Sequence, residues 1–189
     1  METIANRIVN YLDNNKTIWN DTDRMRMSLG LQVIIHNIVM IGAILFVSKI
    51  AGIFLEAIVL LTAYGALKIT AGGIHFKKSL ACLIGTGVFV VAGTLISRQL
   101  DIELLHILFI YLACLIILFK IGPQGTENNP ISEENYEKLR KRTVFLVLAY
   151  LAATVVLAKC MGNIPYLLFV AVVFETFSIL PSYIKNRSV

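Results

Sequence analysis

The chain is short of charge, of cysteine and of polar stretches. Only 15% of its 189 residues are charged, against about 25% in soluble domains. Its apolar share is 57%, against about 45–50%, and its mean hydropathy is +0.76. That excludes an ordinary soluble domain, and it excludes a disordered chain, which needs far more polar residues. The three cysteines, Cys82, Cys114 and Cys160, lie in or beside apolar runs, which excludes an evenly spaced disulfide framework. No apolar stretch of signal-peptide type precedes Leu29, and nothing reads as cleaved. Uneven spacing and dissimilar loops exclude an internal repeat.

What the chain does have is apolar runs, at 31–47, 53–67, 80–96, 104–119, 144–161 and 164–184. A hydrocarbon layer about 30 Å thick takes about 20 helical residues, so six spans with short connections use up the length. The fold class expected is therefore all-α: one polytopic membrane domain over 1–189 with about six transmembrane helices. The second and fourth runs are short and need tilt, a thin bilayer or flanking residues. Ahead of the runs, 1–29 is mostly polar; Ile4, Ile8, Tyr11 and Leu12 recur at helical spacing and predict an amphipathic N-terminal helix on the membrane surface. The polar stretch 121–142 holds Pro123, Gly125, Asn128, Asn129 and Pro130 and predicts a loop, with a helix starting near Ser132.

The net charge of +5 acquires a direction once it is divided among loops. With six spans, the N-terminus, the second and fourth loops and the C-terminus share one side. That side carries 14 of the 17 cations: Arg7, Lys16, Arg24 and Arg26, then Lys68, Lys77 and Lys78, then Lys120, Lys138, Arg140, Lys141 and Arg142, then Lys185 and Arg187. The other side has Lys49, Arg98 and Lys159. The positive-inside rule makes the rich side cytoplasmic, with both termini there. The basic clusters then read as anchors on an anionic leaflet of the lipid bilayer rather than as a nucleic-acid surface.

Polar residues within spans are costly and therefore informative. Gln32 and Asn37 suit interhelical hydrogen bonds, and His36 and His106 lie near run ends. Glu56 and Glu175 each need a partner or a proton, and a carboxylate-dependent transporter would use such groups. The sharper constellation runs from Ala71-Gly72-Gly73-Ile74-His75 to Cys82. A thiol nucleophile needs a base, and His75 is the only histidine close in sequence to a cysteine. On one continuous helix seven residues would hold them about 10 Å apart along the axis, beyond proton-transfer reach. The pair works only if the backbone folds back, for which Gly72 and Gly73 supply flexible backbone, with a helix beginning near Ser79. No further His or Cys has ligand spacing to this pair, so neither metal nor cofactor is expected; Cys114 and Cys160 read as packing residues.

These residues resemble the accessory gene regulator B (AgrB) family, membrane peptidases of Gram-positive quorum-sensing systems. The likeness covers most of the chain: Ala71-Gly72-Gly73-Ile74-His75 with Cys82; Leu29-Gly30-Leu31-Gln32-Val33 with Asn37; Gly122-Pro123 through Asn129-Pro130-Ile131 and the basic 138–142 run; and Glu175 with Leu180-Pro181. Phe76 and Lys77 depart from the family's usual smaller or less charged residues. The resemblance implies a cysteine endopeptidase in the bacterial plasma membrane. It would cut the C-terminal part from an AgrD-like precursor peptide through an acyl-enzyme thioester, toward a cyclic thiolactone or lactone signal. His75 and Cys82 are then catalytic near the cytoplasmic face, Gln32 and Glu175 are candidate supporting residues, and Lys68, Lys77 and Lys78 are candidates to attract the precursor's acidic tail. The family also suggests a homodimer. Two rival readings are a transporter or peptide exporter dependent on Glu56 or Glu175, and a non-catalytic scaffold in which His75 and Cys82 lie apart.

Overall fold

The computed structural model describes residues 2–13, 20–73, 79–125, 131–158 and 162–187. Among these residues there are seven α-helices and no strand beyond one isolated bridge: α1 (Glu2–Leu12), α2 (Asp21–Ile50), α3 (Phe54–Ala71), α4 (Ser79–Gln99), α5 (Leu104–Ile121), α6 (Glu133–Leu157) and α7 (Ile164–Arg187). Five are long and apolar enough to cross a membrane: α2, α3, α4, α5 and α7. The two short runs are lengthened by flanking residues, so α3 and α5 reach 18 residues each, about 27 Å at 1.5 Å per residue. The fifth run differs. Its apolar residues from Val144 onward form only the later part of α6, whose opening turns hold Glu137, Lys138, Arg140, Lys141 and Arg142.

The chain divides into two compact units, 1–50 and 51–189. In the first, α1 packs on α2 with Ala5 and Val9 buried, while Ile4, Ile8, Tyr11 and Leu12 stay exposed. The expected helix over 1–29 is replaced by α1 and a separate α2 that already includes 21–29. Asp21 and Asp23 stand in the first turn of α2, where carboxylates complement the helix dipole. Arg24 pairs with the buried Asp13, tying the start of α2 back to the end of α1.

In the second unit α7 is central, in contact with α3, α4, α5 and α6; α3 also meets α4 and α6, and α5 meets α6. Tyr111, Leu118, Val147, Phe169, Val172 and Ile179 form its core. Lipid is as apolar as leucine, so tight packing and interhelical hydrogen bonds hold such a bundle rather than exclusion from water. Tyr111 and Thr154 hydroxyls meet at 2.9 Å in the core, and Tyr150 donates to the Ala63 carbonyl at 3.2 Å. Tyr64, Phe89 and Phe174 join α3, α4 and α7 through ring contacts of 4.7, 5.6 and 4.0 Å between centroids.

Candidate functional site

Helix α3 stops at Ala71 because the next two residues leave helical space: Gly72 has φ +80° and Gly73 φ +100°, angles that favour glycine. The Gly72 N–H still donates to the Lys68 carbonyl at 3.0 Å, and the Gln124 N–H donates to the Ala71 carbonyl at 2.9 Å. A parallel bridge links Gly72 to Gln124, so the segment after α5 clasps the glycine elbow. A Cβ on Gly72 would sit 2.1 Å from the Gln124 carbonyl oxygen. The elbow read from sequence as flexible is thus closely held, and α4 opens afresh at Ser79. Cys82 stands in the first turn of that helix, half-buried and outside any disulfide. His75, Lys77 and Lys78 lie outside the described residues.

Against the elbow sits a chain of polar side chains between α3 and α7. The Lys68 ammonium donates to Ser178 Oγ at 3.0 Å, and the Ser178 hydroxyl donates to Glu175 Oε2 at 3.3 Å. Glu175 and Ser178 are three residues apart on α7 and therefore share a face. Glu175 is fully buried, and its second oxygen, Oε1, has no hydrogen-bond partner among the described residues. Lys68 Nζ lies 5.9 Å from the Tyr64 ring centroid, and the Cys82 sulfur is within electrostatic reach of both Lys68 and Tyr64. A Cβ on Gly73 would come within 2.8 Å of Ser178 Oγ and 3.0 Å of Lys68 Nζ, so the loop backbone passes directly over the ammonium.

Lys68 therefore differs from its sequence reading as a loop cation: it lies in the last turn of α3 and is tied to α7 through Ser178. Ser178 and Tyr64 were not singled out from sequence, although the spacing of three from Glu175 marks Ser178. Gln32 belongs to the first unit, where its amide donates to Ser28 Oγ at 3.2 Å and the Ser28 hydroxyl in turn donates to Asn6. Glu56 is not an isolated carboxylate. It opens α3 and pairs with Arg98 at the end of α4, with an Nε–Oε1 distance of 3.2 Å. His106 lies exposed in the first turn of α5, 3.7 Å from Glu103. Among the described residues no three His, Cys, Asp or Glu converge in a way that could hold a metal.

The site couples a thiol at a helix start, a glycine elbow, a half-buried lysine and a buried glutamate. Comparison with protein families matches residues 5–179 to accessory gene regulator B. The chain belongs to the accessory gene regulator B family. It is 27% identical to an AgrB-like protein of Clostridium acetobutylicum over 98% of this chain and 91% of that one. It is 25% identical to accessory gene regulator protein B of Staphylococcus intermedius, covering 84% and 83%, and 27% identical to the protein of that name from Staphylococcus saprophyticus, covering 78% and 77%. No solved structure matches significantly. Family membership and the apolar helices make this a membrane protein.

Proposed function

We propose that this member of the family is a cysteine endopeptidase that processes an AgrD-type precursor peptide for quorum sensing, with its site near the cytoplasmic face of the plasma membrane. The observation that carries the reading is the break at Gly72 and Gly73. It ends α3 at Ala71, and α4 starts afresh at Ser79 with Cys82 in its first turn, so the two helices are separate elements. In this reaction His75 takes the proton from Cys82, and the sulfur attacks the scissile carbonyl to give a thioester as the amine leaves with the proton from His75. A cysteine of the bound peptide then exchanges one thioester for another, closing the ring with little change in free energy. Water must be excluded, and the attacking group held close supplies the proximity advantage. Lys77 and Lys78 would draw the acidic tail of the precursor. Gln32 remains a candidate supporting residue and a second copy a candidate partner.

The test incubates the purified protein in lipid nanodiscs with the precursor encoded beside its gene, with cleavage and the acyl-enzyme followed by mass. Wild type is expected to cleave and to carry a thioester adduct on Cys82; Cys82→Ala and His75→Ala are expected to do neither while inserting normally. Cleavage by Cys82→Ala would overturn the peptidase reading. One observation favours a carboxylate-dependent transporter instead, namely the buried Glu175 with an oxygen unpartnered among the described residues. That reading requires Cys82→Ala to be tolerated and Glu175→Gln to abolish function. Glu56, engaged by Arg98, no longer serves it.

A further inference from the structure

Attack of a thiolate on a peptide carbonyl puts a negative charge on oxygen, and an enzyme must meet that charge with a donor already in place. Sequence reading named no such donor. Three features of the bundle single one out. Among the described residues, Lys68, in the last turn of α3, is a cation whose charge interacts with Cys82. Its ammonium is seated rather than free: one N–H is committed to Ser178 Oγ at 3.0 Å, and Ser178 is itself oriented by donating to Glu175 at 3.3 Å. The elbow backbone at Gly73 then passes over the same ammonium, so close that no side chain fits between them. An ammonium has three donors, and the bond to Ser178 uses one.

Resting on the peptidase reading, we infer that Lys68 is the oxyanion donor of the site, with Ser178 and Glu175 as positioning residues that aim it. The Cys82 sulfur adds to the scissile carbonyl carbon, the carbon–oxygen π pair moves to oxygen, and a Lys68 N–H meets the resulting oxyanion. The pair then returns, the carbon–nitrogen bond breaks, and the leaving amine takes the proton that His75 holds. Glu175, joined to Lys68 through Ser178, supplies a counter-charge to the lysine in an apolar bundle, where an unpaired cation would be costly.

This role separates from the alternative, that Lys68 binds the precursor's acidic tail. A donor used only in the transition state lowers kcat and leaves KM alone, whereas uniform binding raises KM. In nanodiscs with the neighbouring precursor, Lys68→Met is expected to lower kcat by about 100-fold or more, the usual effect of losing one such donor, with KM within about threefold of wild type. Lys68→Arg should recover at least tenfold of that loss. Alkylation of Cys82 by iodoacetamide, a displacement that forms no oxyanion, should proceed in Lys68→Met within about threefold of the wild-type rate. Ser178→Ala should lower kcat about tenfold, and Ser178→Thr, which restores the hydroxyl, should recover it. A Lys68→Met protein with wild-type kcat overturns the inference while leaving the peptidase standing, as does one with raised KM alone or with Cys82 no longer alkylated. Cleavage by Cys82→Ala overturns the peptidase and the inference together.

Discussion

Helix α3 carries one acid and one base, and the two ends of the helix treat them differently. At its start Glu56 meets Arg98, with side chains 17% and 45% exposed. At its end Lys68 meets Ser178, which joins it to Glu175, and Glu175 is 0% exposed with one oxygen unpartnered among the described residues. Both pairs join α3 to a neighbour, so connection alone does not explain the second. An exposed pair is cheap to keep and contributes little; a buried one carries a desolvation penalty that packing residues of the same size would avoid. The first pair can be a clasp. The second persists at a cost to stability near a cysteine in the first turn of α4, as the proposed site would require.

The largest effect should come from breaking the buried pair on one side. Glu175→Ala leaves Lys68 without its counter-charge inside the bundle and should destabilise the protein by about 3–5 kcal/mol. Thermal unfolding in detergent would read this as a Tm lower by about 10 °C. The double substitution Lys68→Met with Glu175→Leu sharpens the contrast: it removes both charges and fills the space, so Tm should return to within about 3 °C of wild type, yet kcat for precursor cleavage should stay lower by about 100-fold or more. A double variant that is stable and active would reduce the buried pair to the same rank as Glu56–Arg98.

Next in size is Gly72→Ala. The new Cβ meets the Gln124 carbonyl at 2.1 Å, and φ is +80°. Strain of this kind costs about 1–3 kcal/mol, and relief requires the clasp between the elbow and the segment after α5 to open. Cleavage should fall further than stability does, which parallel activity and Tm measurements would show.

The helices were legible because apolar runs leave little choice of structure in lipid, and the glycine pair before His75 marked where one helix had to stop. The ends were harder. The run near 53–67 stops short of Lys68, yet α3 continues to Ala71 because Lys68 finds Ser178 and the Thr70 hydroxyl returns to the Leu67 carbonyl at 3.1 Å. Neither partner is visible from the run itself. Charge counting placed Lys68 with its loop neighbours for the same reason: its counter-charge lies more than a hundred positions along the chain. Glu175 stood out as a carboxylate in a span, but its line to the cysteine passes through Ser178, a residue type common at helix contacts and silent until the two helices are packed together. In the N-terminal helix the apolar face visible in sequence, Ile4, Ile8, Tyr11 and Leu12, is exposed, while the side that packs on α2 uses the smaller Ala5 and Val9, which spacing did not mark.

The smallest effect should be at the other end of α3. Glu56→Gln leaves Arg98, nearly half exposed, free to turn toward water or the lipid interface, so the loss should stay below about 1 kcal/mol and Tm should move by less than about 3 °C. Raising salt should weaken the wild-type contact in the same direction, because an exposed pair is screened, whereas the Lys68–Ser178–Glu175 chain inside the bundle should not respond. Cleavage kinetics with the precursor should be unchanged in Glu56→Gln. A fall in kcat there would mean that charge anywhere along α3 reaches the thiol, and the distinction between the two ends would have to rest on something other than burial.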